Sequence, residues 1–229
     1  MITAIVSQHA NTDRAIIARN LAVLRAHDGR RVCLVTTGPA QRDGDWCNER
    51  YCAGIRPWVD TRSIGGARMR SSLGSLRPLY NEILVDAGMR DSAESRCALS
   101  MARLVVAPVR GDAIDLATQY ALIKRLSAAR AENPALQVLF VAVGDEDHAA
   151  VRAHVARVSG AGLAHTVLHA LERGEYGPGR CACDAATRDP EVASAMKALY
   201  REVYAPPAPV LPAAFLAASQ LGAAHALWR

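Results

Sequence analysis

The sequence predicts an α/β protein with a doubly wound, mostly parallel β-sheet flanked by helices. Two observations predict this class. Short segments that are apolar almost throughout recur along the chain, and such segments are typical of strands buried on both faces of a parallel sheet. Longer helical segments alternate with them, which is the order in which β-α-β units assemble. The 229 residues suffice for one domain with a substantial core.

The N-terminal elements follow from local patterns. Ile2–Ser7 is a short apolar run with β-branched residues, which favours a strand, and Asp13–Ala26 has the periodicity of a helix. Arg31–Thr36 is the next apolar run, and it stops at a Thr-Gly-Pro turn signal in residues 37–39. These segments predict the first strand, the first helix and the second strand.

The later elements repeat the alternation. Further apolar strands are predicted at Glu82–Asp86, Leu104–Val109 and Val138–Val143. Helices are predicted at Asp91–Arg103, Ala113–Ala131, Glu146–Ser159 and Pro190–Tyr204. We therefore assign residues 1–204 to a single α/β domain.

Two segments do not fit the alternation. Pro39–Pro57 is polar and rich in Arg, Asp and Cys, which predicts an irregular excursion beyond the carboxyl ends of the strands. Ala205–Pro212 is proline-rich and cannot continue a helix, because proline lacks a backbone donor and fixes φ, so we predict a stiff connector. Ala213–Arg229 is Ala-rich and is predicted to form a final helix.

Composition narrows the functional class only slightly. No apolar run is long enough to span a bilayer, and the N-terminus lacks the successive stages of a signal peptide, so we expect a cytoplasmic protein. The net charge of +5 fits a protein that contacts nucleic acid. The same charge fits a soluble protein without such a partner equally well.

The six cysteines raise the question of a metal site. In a cytosolic chain we expect them to be reduced. Cys47 and Cys52, together with Cys181 and Cys183, would supply four thiolates to one zinc ion if the fold brought them together. Neither spacing is the usual C-x2-C, so we expect no metal.

The turn after the first strand carries the most informative motif. Residues 7–22 run SQHANTDRAIIARNLA. This stretch resembles the opening of the ParA/MinD family, in which the first strand enters a lysine-marked glycine loop and then a helix with an Asn-Leu-Ala sequence. Gln8, Ala18 and Asn20-Leu21-Ala22 match that frame.

Three later stretches resemble the same family in the same order. Residues 32–39 are similar to its second strand, and Trp46 lies where small plasmid-partition members also carry Trp. Residues 80–88 are similar to its Walker B strand, and Leu104–Val109 with Asp115-Leu116 to its strand-Pro-Val segment. The resemblance covers residues 1–204 and implies a P-loop NTPase-like fold of the deviant Walker A class.

The phosphate-binding loop departs from that family. Its three glycines are replaced by Ala10, Asn11 and Asp13, whose β-carbons restrict the positive φ angles that a phosphate cradle needs. The Asp13 carboxylate also lies where an anion would dock. The lysine that would reach the β- and γ-phosphates is Arg14, and the hydroxyl residue that would hold Mg²⁺ is Ala15.

Other polar positions of the family site are also changed. Its signature lysine, which reaches into the partner's site in the dimer, corresponds to His9, and the two aspartates of its second strand to Thr36 and Gly38. Only Asp86 of the Walker B strand is retained, and one carboxylate cannot hold Mg²⁺ alone. Asn11 to Asp13 are explained equally by a helix N-cap with an acid in the first turn. We therefore predict that ATP hydrolysis is lost and expect no cofactor.

The favoured hypothesis is a ParA-like partition or positioning protein that acts as a pseudo-ATPase scaffold. The resemblance implies a homodimer, a ParB-like or other protein partner, and non-specific DNA binding. Candidate DNA contacts lie in a stretch with few acids, at Arg62, Arg68, Arg70 and Arg77. A solvated helix face with an Arg-rich loop is the plain alternative for these arginines, and it is slightly favoured.

Two alternatives stay open. The protein is a divergent but active ATPase that uses Arg14 and Asp86 with ATP and Mg²⁺ in a relaxed loop, although the other metal ligands are missing from the expected positions. Otherwise it is an interaction module that acts through the helix at 213–229. That segment has almost no cations, so we expect it to pack on its own domain or on a second copy, and not on a membrane.

Overall fold

A parallel sheet lies at the centre of the molecule. The computed structural model describes residues 1–7, 13–37, 41–88, 91–111, 116–144, 148–169, 171, 176–184 and 189–204. Within this part of the chain the strands are β1 Ile2–Ile5, β2 Val32–Thr36, β3 Asp60–Ser63, β4 Glu82–Asp86, β5 Leu104–Arg110, β6 Gln137–Val143 and β7 Ala161–Leu168. They form one seven-stranded sheet in the order β3-β2-β4-β1-β5-β6-β7. Every pairing is parallel, which confirms the predicted doubly wound class.

Helices cover both faces of this sheet. In the described residues they are α1 Asp13–His27, α2 Gln41–Cys52, α3 Met69–Leu76, α4 Ala93–Met101, α5 Leu116–Glu132, α6 His148–Ala156 and α7 Pro190–Tyr204, with a 3-10 turn at Gly66–Arg68 before α3. Helices α1, α2 and α7 share one apolar core with the sheet. Helices α3 to α6 share a second core on the opposite face.

The central strands are apolar throughout because they contribute to both cores. In β4, Ile83 and Val85 face one core while Leu84 faces the other, and all three are buried. Successive strand residues point to opposite faces, so a strand covered on both sides requires an unbroken apolar run. This is the pattern that made β1, β2, β4, β5 and β6 recognisable in the sequence.

Both edge strands were missed from the sequence. β3 has the sequence Asp-Thr-Arg-Ser and is largely exposed, and β7 buries only Ala164 and Leu168 of its eight residues. An edge strand is covered less completely than a central one, so it lacks the unbroken apolar signal. α3 was also missed, because it is only eight residues long and buries only Met69 and Leu73.

The prediction of an irregular segment at Pro39–Pro57 is wrong for Gln41–Cys52, which form α2. The helix buries Trp46, Cys47 and Arg50, which lie on one face because helical residues three or four apart are neighbours. An arginine in place of an aliphatic residue hides this periodicity in the sequence. The connector and helix predicted at 205–229 lie outside the described residues. No helix that the structure describes is both long and apolar enough to cross a membrane.

Candidate functional site

The carboxyl ends of β1, β4 and β5 meet the first turn of α1. In the sheet, β4 and β2 lie on one side of β1 and β5 lies on the other. The strand order therefore reverses at β1. Crevices in doubly wound sheets form at such a point, outside the carboxyl ends of the strands. Ile5 of β1 lies beside Asp86 of β4, which brings the polar residues after both strands together.

The first ion pair at this site joins Arg14 to Asp86. The Nε of Arg14, in the first turn of α1, donates to Oδ1 of Asp86 at the end of β4. Nη1 of Arg14 also donates to Oγ of Ser7 at 2.8 Å. The same Asp86 oxygen accepts the backbone N–H of Gly88 at 3.0 Å. The cation and the carboxylate that the family resemblance assigns to phosphate and Mg²⁺ are therefore bound to each other.

A second ion pair lies beside the first. Asp13, the first residue of α1, is fully buried and pairs with Arg110 at the end of β5. The contact is bidentate, with 2.9 Å from Nε to Oδ2 and 3.1 Å from Nη2 to Oδ1. Bidentate guanidinium–carboxylate pairs fix both groups in one geometry. This pair joins α1 to β5, as the first joins α1 to β4.

A third group of charges lies near Arg14. The side chain of Asp91 accepts two hydrogen bonds from Arg96, each 2.8 Å long, and these bonds hold the pKa of Asp91 below its usual range. Arg125 of α5 is buried and donates to Oγ of Ser95. Burial lowers the pKa of Arg125, Asp91 opposes that shift, and the positive charges of Arg14 and Arg96 add to it.

In the described residues, the groups expected to bind Mg²⁺ and nucleotide are engaged in ion pairs. A phosphate would have to separate Arg14 from Asp86, and Mg²⁺ would need the same carboxylate. The buried Asp13 carboxylate would lie near the incoming anion, and Ala15 offers no hydroxyl to the metal. The described part of the site is instead organised by pairs of its own arginines and aspartates.

The sequence-predicted loop residues divide into two groups. His9, Ala10 and Asn11 lie outside the described residues, whereas Asp13, Arg14, Ala15 and Asp86 are described, and the three charged ones lie together. The role of Arg110 was missed. Its only sequence signal is a cation at the end of a predicted strand, and the partner lies 97 residues away.

The four candidate DNA-binding arginines are all exposed, on β3, the 3-10 turn, α3 and the turn after α3. Arg70 lies 3.7 Å from Glu132 and donates to Oγ of Ser100 at 3.2 Å. Arg62 donates to the carbonyl of Thr61. The side chains of Arg68 and Arg77 form no ion pair with a described residue.

The four cysteines considered for a metal site differ in burial. Cys52 is exposed, whereas Cys47, Cys181 and Cys183 are buried. Burial raises the pKa of the Cys183 thiol to about 12 and that of Cys181 further, which favours protonated thiols over metal-binding thiolates. In the described ranges no group of three or more His, Cys, Asp or Glu side chains is arranged to hold a metal ion.

Comparison with known proteins places the fold. No protein-family model and no curated protein sequence matches the chain. The solved MinC:MinD cell division complex of Aquifex aeolicus matches with a TM-score of 0.63 at 12% identity, covering 92% of this chain and 98% of that one. MinD of Pyrococcus horikoshii, solved with Mg-ADP, matches with a TM-score of 0.63 at 17% identity, covering 89% of this chain and 96% of that one. A ParA family ATPase of Chlorobium tepidum matches with a TM-score of 0.62 at 14% identity, covering 86% of this chain and 97% of that one. The chain thus has the fold of ParA/MinD-type ATPases over almost their full length.

Proposed function

We propose that this protein, which has the ParA/MinD-type fold, is a pseudo-ATPase scaffold of the partition and positioning class. The observation that carries the proposal is the Arg14–Asp86 ion pair. It uses the cation and the carboxylate that a nucleotide and its Mg²⁺ would need. In this proposal the protein retains the fold of a nucleotide-dependent switch and acts by binding other macromolecules.

Electrostatics supports this reading. The side chains of Arg14 and Asp86 are only 17% and 11% exposed, so water screens the pair weakly. Separating such a pair leaves two partly buried charges, and breaking a fully buried pair costs about 3–5 kcal/mol. A nucleotide would have to offset that cost, and the neighbouring Arg110 offers no free cation to attract it because Arg110 is paired with Asp13.

The proposal includes a homodimer, a protein partner and non-specific DNA contact. The Aquifex aeolicus relative is a MinC:MinD complex, which makes protein partners a reasonable property of the fold. For DNA, the exposed Arg68 and Arg77 are the available cations of the candidate set, since Arg70 lies beside Glu132 and Arg62 donates to the carbonyl of Thr61. Salt-sensitive retardation of any duplex, weakened by Arg68→Glu with Arg77→Glu, would support DNA contact. No shift at low salt would remove it.

The deciding experiment is calorimetric titration of the full chain with ATP and Mg²⁺, accompanied by a phosphate-release assay. MinD of Pyrococcus horikoshii serves as the positive control under the same conditions. We expect neither binding heat nor phosphate release. Binding at micromolar affinity that disappears in Arg14→Gln would show that this site still holds phosphate, and the protein would then be a divergent ATPase.

A further inference from the structure

An exposed surface of aromatic and arginine side chains lies at the end of α2. Tyr51 is 61% exposed and Trp58 is 45% exposed, and the two rings lie side by side. Their ring centroids are 5.0 Å apart. The guanidinium of Arg56 lies over the Trp58 ring, with Cζ 3.4 Å from the ring centroid. We call these three residues the Tyr51–Trp58 surface.

A buried arginine holds the loop that carries this surface. Arg50 is 1% exposed and donates to the backbone carbonyls of Arg56 and Pro57 at 3.1 and 2.8 Å. Its remaining N–H groups donate to the carbonyl of Gly179 and to both carboxylate oxygens of Asp184. All five guanidinium donors are thereby used. The Tyr51–Trp58 surface is consequently fixed to the body of the protein.

Helix α2 is also tied directly to the segment 176–184. Trp46 donates from Nε1 to the carbonyl of Arg180 at 2.9 Å, and Glu49 accepts the N–H of Gly179 at 3.0 Å. Gly179 has a φ of +66°, and a β-carbon there would lie 2.3 Å from the backbone nitrogen of Arg50. This close approach requires glycine. The support is therefore held by contacts within the chain itself.

The charge on this surface is not neutralised from within the described chain. Arg56 forms no side-chain hydrogen bond or ion pair with a described residue. Glu49 lies one helical turn after Trp46, and its carboxylate accepts the backbone N–H of Gly179. Stacking on Trp58 leaves the edge of the Arg56 guanidinium, where its donors lie, open to a carboxylate.

We propose that the Tyr51–Trp58 surface binds an acidic segment of a protein partner. The segment places a carboxylate on Arg56 and an apolar side chain against Tyr51 and Trp58. Tyr, Trp and Arg are the residue types that dominate binding energy at protein interfaces, and a rigid surface loses little entropy on binding. A nucleic-acid base could also stack on the ring faces that Arg56 leaves uncovered, so single-stranded nucleic acid is the competing occupant that the test must exclude. The proposal deepens the scaffold role, because it identifies where a protein partner docks.

The test begins with selection from a random peptide library displayed on phage, using the full-length protein as the target. Counter-selection uses the Tyr51→Ala/Trp58→Ala variant. We expect the enriched peptides to place Asp or Glu next to aliphatic or aromatic residues. The best peptide is then labelled with fluorescein and titrated by anisotropy. None of the three surface side chains is buried, so these variants should keep the thermal stability of the wild type.

The affinity of the selected peptide should fall at least tenfold in Arg56→Gln and in the double variant, which corresponds to about 1.4 kcal/mol. The matched control is Tyr120→Ala with Lys124→Gln on α5, another exposed aromatic residue with an exposed cation one helical turn away, and it should bind like the wild type. Enrichment of peptides without acids, equal binding by the surface variants, or no enrichment would overturn the proposal. A preference for single-stranded oligonucleotides that depends on Trp58 would overturn it as well. Nucleotide titration is independent of this readout, so the two proposals fail separately.

Discussion

At the scale of single residues, the site is organised by arginine–aspartate pairs whose partners lie far apart in the sequence. The absence of the loop glycines and of the lysine is read directly from residues 7–22, and it is the basis for predicting a degenerate phosphate-binding loop. The contact between Asp13 and Arg110 could not be predicted, because it depends on β5 lying next to β1 in the folded sheet. Local patterns show which residues are missing from a site, whereas the groups that replace them are known only from the tertiary structure.

The Asp13–Arg110 pair should contribute strongly to stability. Arg110→Gln leaves the buried Asp13 carboxylate without its guanidinium, and loss of one partner of a buried pair costs about 3–5 kcal/mol. We expect the free energy of unfolding, measured in urea, to fall by roughly that amount. Arg96→Gln is the matched control, because its pair with Asp91 is exposed and should contribute about 1 kcal/mol or less. Similar losses in both variants would contradict a special role for Arg110.

Glu82 makes a second residue-scale prediction, at the opposite end of the sheet. Its side chain is fully buried, and burial raises its pKa to about 7, although a hydrogen bond from Thr3 and the charges of the N-terminus and Arg25 oppose the shift. The folded protein therefore holds a proton that the unfolded chain releases near pH 4.5. Stability from this group is complete below pH 4.5 and is lost as the pH rises toward 7.

Glu82→Gln should therefore raise the free energy of unfolding at pH 8 and change it little at pH 5. Because the pKa of Glu82 rises from 4.5 to about 7, its contribution to the free energy of unfolding should differ by roughly 3 kcal/mol between pH 5 and pH 8. Urea unfolding at both pH values measures the effect, with the exposed Glu132→Gln as the control. A loss of stability at pH 8 would mean that the ionised carboxylate is favoured by Arg25 and the N-terminal amine.

At the scale of elements, the central strands could be predicted and the edges could not. β1 and β4 are buried on both faces, so their apolar runs are unbroken, whereas β3 and β7 expose part of their residues. Helix α2 has the same difficulty, since the buried Arg50 takes a position that an aliphatic residue would normally mark. Sequence patterns report burial by apolar side chains, and they miss elements that are held by hydrogen bonds.

The edge strand β7 depends on Glu202 of α7. The pairing of β6 with β7 shifts its register between Phe140 and Ala142, and near this irregularity Glu202 accepts the backbone N–H groups of His165 and Thr166 at 2.7 and 2.8 Å. Burial alone would raise the pKa of Glu202, but the hydrogen bonds from Thr166 and His165 outweigh it and lower the pKa. This stabilisation is therefore present above pH 4.5 and is lost as the pH falls through the lowered pKa.

Glu202→Ala should destabilise the protein by about 1–3 kcal/mol, because it leaves backbone donors of an edge strand unsatisfied. It should also increase self-association, because the unpaired backbone N–H groups of the edge strand can then donate to a strand of another chain. Urea unfolding measures the first effect and light scattering during storage the second. Glu132→Ala, on an exposed helix end, is the control. An unchanged unfolding curve would mean that water replaces the carboxylate at no cost.

At the scale of the whole molecule, the fold is shared with proteins that are only 12–17% identical. Two apolar cores on a parallel sheet require a pattern of buried positions and tolerate many sequences that supply it. The catalytic loop requires particular residues and tolerates little change. The tolerance of the two cores explains why proteins of such low identity share the architecture.

The assembly state should be independent of nucleotide. In this chain the Arg14–Asp86 and Asp13–Arg110 pairs already join α1 to β4 and β5. We expect the molar mass from gel filtration with light scattering to be that of a dimer both with and without ATP and Mg²⁺. A change from monomer to dimer on addition of ATP would contradict both this prediction and the pseudo-ATPase proposal.

The burial of most cysteines leaves one position suited to selective chemical labelling. Among the six, only Cys52 is exposed, and burial raises the pKa of the Cys33, Cys97, Cys181 and Cys183 thiols. The thiolate is the nucleophile that attacks a maleimide, so we expect a fluorophore or cross-linker to attach preferentially at Cys52 without any mutation. Cys52 follows Tyr51 directly in the chain. A dye placed there will report docking on the neighbouring aromatic rings by a change in its emission.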